Sequence, residues 1–270
     1  MKFKTEYIHE QGTGRINEDA LFLNGNMFGV FDGATSLNGV TYDDGKTGGF
    51  YASRIARQVF KHNNDALHNL SEKANSAILH KMMEKGVNVF DKTALWSTSS
   101  AVVRIKDNTV EWNQTGDSLF MLIYDDGSCR VPIKNYDHDA ETLLMWKSMA
   151  GQTDKQIFEA LENQIKKVRA DMNVTYGVLN GEPTYADFLN SGTERLENVR
   201  HILLFTDGLF IPSGNPRNKD GFDTMAALFL KGGLPAVRNH VRHLESADPE
   251  CRIYPRFKSH DDIAAVAVSL

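Results

Sequence analysis

A chain of 270 residues can bury one substantial core. With 41% hydrophobic and 24% charged residues, it has the make-up of a globular protein and not of a disordered or fibrous one. Thirty basic residues against 35 acidic ones give a formal charge of −5, which argues against nucleic acid as the main partner, since the phosphate backbone calls for a clustered cationic surface.

Cys129 and Cys251 stand far apart in no metal-ligand spacing, so a reducing, cytoplasmic setting is the simpler expectation. The N-terminal stretch has no apolar core of signal-peptide length, and no run approaches the roughly 20 apolar residues of a membrane span. The expectation is one domain over 1–270, away from the membrane, monomeric, with a variable flap subdomain around 172–198.

In chain order, residues 20–31 read as a hairpin, two apolar runs joined at Asn24-Gly25, a pair that tolerates the positive φ of a tight turn. The glycine-rich stretch 43–49 leads into a helix on which Ala52, Ile55, Ala56 and Val59 share one face. A second helix is predicted over 66–85, with Leu67, Leu70, Ala74, Ala77 and Ile78 turned inward. Residues 99–133 switch to short β-rich runs separated by KDN, TGD and DDG, which predicts an antiparallel meander. Helices follow at 139–149 and 154–170, the second with Thr153 and Gln156 spaced as a capping box. Residues 172–198 read as irregular. Strands at 201–205 and 263–270 and helices at 222–231 and 234–244 complete the pattern. Strand-rich segments interleaved with paired helices point to an α+β layered domain.

The informative feature is where the acids fall. Asp32 ends the run MFGVF, and Asp207 ends ILLFT; each is followed by glycine. Asp261 and Asp262 precede the closing apolar run, and Asp19 precedes the first hairpin. Strand ends of one layer can meet, and several carboxylates in one crevice repel and resist desolvation. A divalent cation resolves that conflict, and an all-oxygen donor set favours Mg²⁺ or Mn²⁺ over zinc. Other Asp-Gly pairs have a plainer reading: Asp126-Gly127 is a hairpin turn, and Asp44-Gly45 and Asp220-Gly221 are loop residues. His62, His68 and His80 read as surface helix residues. The stretch GKTGG at 45–49 lacks the spacing of a phosphate loop.

Asn17-Glu18-Asp19-Ala20, Gly29-Val30-Phe31-Asp32-Gly33, Gly116-Asp117-Ser118, Leu204-Phe205-Thr206-Asp207-Gly208-Leu209 and Asp261-Asp262-Ile263 occur in that order. Together they resemble the metal-dependent, protein phosphatase 2C-like family, including its bacterial branch, from Asn17 to Val268. The resemblance implies a four-layer α-β-β-α sandwich with mainly antiparallel sheets. It also implies a Mg²⁺/Mn²⁺-dependent serine/threonine phosphatase whose partner is a phosphorylated protein, with a metal-activated water as nucleophile. It assigns Asp32 to bridge two metals and the Gly33 carbonyl to the second of them. Asp207 and Asp261 complete the first site, Glu18 and Asp19 act near the second through waters, and Asp117 helps hold a weaker third ion.

Arg15 is the expected phosphate-binding arginine, four residues before Asp19 where the family spaces it five. Ala34 stands where the eukaryotic branch has a candidate general-acid histidine. His138, in the segment Tyr136-Asp137-His138-Asp139, matches a family stretch with a structural role, and His260 reads as a strand-end surface residue. Two other readings are a phosphatase-like sensing or binding module with little turnover and a phosphatase of a small metabolite.

Overall fold

In the computed structural model, the described residues are 3–37, 39–42, 45–134, 137–149, 152–217 and 221–270. The Asp44 and Asp220 members of two loop-read Asp-Gly pairs, together with Asp43 and Tyr136, lie outside them.

Two five-stranded antiparallel sheets face one another. One runs in the order β1 (Lys4–Glu10), β10 (Ile263–Ser269), β9 (Val199–Phe205), β6 (Leu119–Tyr124) and β7 (Cys129–Arg130). The other runs β2 (Ala20–Asn24), β3 (Met27–Gly33), β4 (Thr98–Lys106), β5 (Thr109–Thr115) and β8 (Asn190–Arg195). Strand side chains alternate between faces, and β3 uses both. Phe28 and Val30 enter the core between the sheets with Ala101, Phe120, Leu204 and Ala265. Met27 and Phe31 join Phe22 on the other face, against the helices.

Helices α1 (Gly48–His62) and α2 (Leu67–Glu84) cover that outer face with Ala52, Ala56, Phe60, Leu70, Ala74 and Ile78. Opposite, α6 (Gly221–Ser246) lays Met225, Phe229, Leu234 and Val237 on the β9–β10 sheet. Gly232 and Gly233 leave helical geometry and break α6 into the two arms expected at 222–231 and 234–244. The layers are therefore α-β-β-α, as the resemblance implied.

Several local expectations shift. The hairpin turn is centred on Gly25-Asn26, because Asn24 pairs with Met27 and Gly25 takes a φ of 62°. Positive φ at the first central position alone is the mark of a II′ turn, where glycine fits best. The 99–133 meander is divided: β4 and β5 pair in one sheet, and the chain crosses at Gly116-Asp117-Ser118 so that β6 pairs with β9 in the other. The turn KDN joins partners, whereas TGD joins layers. Asp126-Gly127 is a hairpin turn as read, with Ser128 N–H donating to Asp126 Oδ1 at 2.9 Å.

The helix expected at 154–170 is split at Leu161 into α4 (Ile157–Ala160) and α5 (Glu162–Ala170). Thr153 does not cap it; its hydroxyl accepts from Lys155 N–H, and α4 begins after Gln156. These segments and α3 (Ala140–Ser148) share a small core of Trp146, Ile157, Leu161 and Ile165. Residues 172–198 are more ordered than irregular. Met172, Val178, Leu179 and Tyr185 enter the α1–α2 core, and β8 pairs along β5. Strand β1 was not expected at all; every one of its residues is at least partly exposed.

Candidate metal centre

Antiparallel pairing sends alternate strand ends to the same side of a sheet, and here both sheets open on one side. The C-terminal ends of β3 and β9 meet the N-terminal ends of β2, β6 and β10 there. Asp32 pairs in register with Ser99 and continues the alternation of Phe28 and Val30, so its side chain falls on the face between the sheets. Asp207 is the second residue after β9, and Asp117 sits in the crossover two residues before Leu119, the partner of Phe205. Asp261 stands two residues before β10.

Glycines let these ends approach. A Cβ on Gly33 would lie 2.2 Å from the Gly49 carbonyl oxygen, and one on Gly208 would lie 1.9 Å from that of Asp262. The Gly48-Gly49 pair of GKTGG thus seats the start of α1 against Asp32-Gly33. Thr47 caps that helix by accepting from Phe50 N–H at 3.2 Å.

Two adjoining cavities share Asp117, Asp139, Asp207, Phe257, Lys258 and Asp261. Asp32 and Gly33 line one of them, with Arg169, His138 and Tyr176 across from them. The acids differ in their settings. Asp32 and Asp207 lie within hydrogen-bonding reach of each other, and burial holds both carboxyls well above the usual carboxylate range, helped by the charges of Asp117 and Asp261 and, for Asp32, of Asp19. Burial also pushes Asp19 well up; its Oδ2 accepts from the Thr206 hydroxyl at 2.7 Å. Glu18 is raised by burial and partly brought back by the hydroxyls of Thr35 and Thr47, both of which donate to its carboxylate. Asp262 turns away from the cavity and takes the backbone N–H groups of Gly12 and Glu18, each at 2.8 Å, which fixes the 11–19 loop.

The structure therefore gathers Asp32, Gly33, Asp117, Asp207 and Asp261 around the cavities. Glu18 and Asp19 lie behind them, each held by threonine hydroxyls. Arg15 is exposed on the 11–19 loop and lines neither cavity. His62, His68 and His80 are exposed, as expected. His260 bonds Glu245 through Nδ1 at 2.8 Å, and its carbonyl receives Thr13 N–H at 2.9 Å.

Arg169 and Lys258 carried no signal in the sequence, and His138 was expected to have a structural role only. Arg169 on α5 reaches the Thr35 carbonyl at 3.2 Å and Ser97 Oγ at 3.5 Å. His138 stacks on Tyr176 at 3.9 Å, with its Nε2 3.7 Å from Asp117 and 3.5 Å from Asp139. These three side chains form an Asp-His-Asp group that could hold a metal ion. Lys258 Nζ lies 2.7 Å from Asp261 Oδ1. The histidine-bearing segment was legible through its resemblance.

The donors suit a hard divalent cation. Buried carboxyls that must share a proton to lie together are relieved when a dication takes the proton's place, and all-oxygen donors of this kind fit Mg²⁺ or Mn²⁺.

Among solved structures, the chain is similar to the Mycobacterium tuberculosis serine/threonine phosphatase PstP/Ppp, with 16% identity, a TM-score of 0.62 and coverage of 99% of this chain and 98% of that one. It is similar to the Staphylococcus aureus serine/threonine phosphatase Stp1, with 16% identity, a TM-score of 0.63 and coverage of 100% and 96%. The fold is that of the bacterial serine/threonine phosphatases. A structure of the PstP catalytic domain in complex with two manganese ions aligns at 16% identity and a TM-score of 0.58, over 99% of this chain and 97% of that one. No protein-family model and no curated protein matched.

Proposed function

We propose that the chain is a Mn²⁺/Mg²⁺-dependent phosphomonoester hydrolase acting on phosphoserine and phosphothreonine of proteins. The observation that carries this reading is the convergence of Asp32, Asp117, Asp207 and Asp261 from four separate strand ends onto one cavity. Asp32 and Asp207, in contact with each other, would hold two divalent cations between them, with Asp261 completing one site, the Gly33 carbonyl the other, and Asp117 serving a weaker third ion. When bound, such ions activate water and neutralise phosphoryl charge.

The chain's own groups supply the rest. Asp19 and Glu18 are fixed by Thr206, Thr35 and Thr47, so they can orient water behind the cluster without rearrangement. Arg169 replaces Arg15 in this reading as the guanidinium facing an anionic substrate, since it lines the cavity and Arg15 does not. The second cavity leads away from the acids along Phe210, Ile211, Pro212, Phe222 and Phe257. That apolar trough suits a peptide flanking a phosphorylated residue better than a small polar metabolite.

No helix among the described residues is long and apolar enough to cross a membrane. Cys129 and Cys251 are both unpaired, which accords with a reducing cytoplasm.

The test is hydrolysis of p-nitrophenyl phosphate and of a phosphothreonine peptide with Mn²⁺, Mg²⁺ or EDTA, comparing wild type with folded Asp32→Asn and Asp207→Asn. Turnover that needs the metal and is lost in both variants is expected. Folded, metal-loaded wild type that hydrolyses neither substrate would overturn the proposal.

A further inference from the structure

The segment 252–260 carries a cation into the acid cluster and pins it there. Arg256 ties this segment down: its guanidinium donates to the carbonyls of Ser259, Tyr254, Glu245 and Asp248 and to Asp248 Oδ2. Asp248 in turn accepts the backbone N–H groups of Arg252, Ile253 and Tyr254. On this fixed frame Lys258 lines both cavities, its side chain 21% exposed, with Nζ 2.7 Å from Asp261 Oδ1. The same oxygen also accepts Asp262 N–H at 2.8 Å, so its lone pairs are committed.

The neighbouring cations behave otherwise. Arg242 binds the Asp261 carbonyl, Glu10 and Glu245, and Arg54 binds the Asp19 carbonyl. Arg169 is turned to Ser97 and Thr35. Lys258 donates directly to a carboxylate oxygen of the cluster, whereas His138 Nε2 stands off at 3.7 Å from Asp117 and 3.5 Å from Asp139.

We propose that Lys258 is a resident cation that competes with a divalent metal ion for Asp261 and thereby sets a weaker metal affinity than the acids alone would give. The inference rests on the metal centre described above. An ion bound through Asp261 Oδ1 must displace the ammonium, and the displaced charge has nowhere to go but the cavity rim, still beside the dication. A neutral side chain at 258 removes both the competition and the residual repulsion.

The experiment is calorimetric titration of metal-depleted full chain with Mn²⁺, without substrate, for wild type, Lys258→Met, Asp261→Asn and the double variant. Lys258→Gln repeats the test should the methionine variant not fold. Lys258→Met is expected to bind one Mn²⁺ about tenfold tighter, the order of magnitude for removing one unit charge a few ångströms from the ion in a partly solvated cavity. In the Asp261→Asn background the difference between Lys and Met should vanish. Equal or weaker Mn²⁺ binding by folded Lys258→Met would overturn the role of Lys258 while leaving the metal centre standing. No Mn²⁺ binding by any variant would overturn both. Because no turnover is measured, failure of the phosphatase reading leaves this result unaffected.

Discussion

Replacing Gly208 by alanine puts the closeness of the strand ends to a quantitative test. The new Cβ would sit 1.9 Å from the Asp262 carbonyl oxygen and 2.9 Å from its carbonyl carbon, with the Asp261 Cβ at 3.4 Å. Real Cβ atoms essentially never come within 3.0 Å of such an atom, so the backbone at 207–208 must part from that at 261–262 by about 1 Å. The obstacle is main chain on both sides, so no rotamer change relieves it. Overpacking of this kind costs about 1–3 kcal/mol, which for a domain of this size lowers Tm by roughly 2–12 °C. The same displacement separates Asp207 from Asp261, and a misplacement of about 1 Å in a catalytic constellation costs on the order of 100-fold in rate. Thermal unfolding and metal-dependent hydrolysis of p-nitrophenyl phosphate measure both effects. Gly14→Ala is the control, because the nearest atom to its added Cβ is the Ile16 carbonyl oxygen at 3.4 Å. A Gly208→Ala protein with wild-type Tm and wild-type turnover would refute the claim that these two ends are in contact.

Other outcomes follow from the buried acids. Asp32, Asp207 and Asp19 have folded-state pKa values above their unfolded ones. They therefore favour the folded state below the ordinary aspartate value and lose that contribution as pH rises through the raised values. In EDTA, the stability of Asp207→Asn relative to wild type should increase as pH rises from the ordinary aspartate value of about 4 through the raised range; a pH-independent difference in denaturant midpoint would contradict the coupling. Thr206 donates to Asp19 and accepts Ala264 N–H at 2.9 Å. Thr206→Val should cost about 1–3 kcal/mol by leaving both buried partners unsatisfied, with Thr206→Ser recovering most of it in chemical denaturation. Equal stability of the valine and serine variants would show that the hydroxyl does not hold Asp19.

What could be read beforehand followed from how far each signal reaches. Asp32 and Asp207 were legible because a lone acid and glycine interrupt an otherwise buried run, a contrast carried within a few residues. Helices α1 and α2 were legible because Ala52, Ala56, Leu70, Ala74 and Ile78 repeat at helical spacing. Strand β1 was not, since KTEYIHE packs only partly against the rest of the chain and has little apolar character to betray it. The separation of β5 from β6 was hidden because local turn chemistry cannot tell a hairpin from a crossover. Their partners, β8 and β9, lie some 80 residues further on. Arg169 escaped notice for a related reason: its role depends on Thr35 and Ser97, far away in the chain, whereas Lys258, three residues before Asp261, reads locally as an ordinary loop lysine. Arg15 shows the converse, a motif position whose side chain the loop leaves outside.

The placement of β10 has a consequence for when this protein becomes competent. It is the final strand in the sequence, yet it lies between β1 and β9 in the interior of its sheet. Until residues 263–269 have emerged from the ribosome, β1 lacks its hydrogen-bonding partner and the carboxylate of Asp261 is not held against Asp207. Asp32 on β3 is made long before then, but the constellation closes only with β10. The order in which the strands are made thus leaves the acid constellation open until β10 has been synthesised.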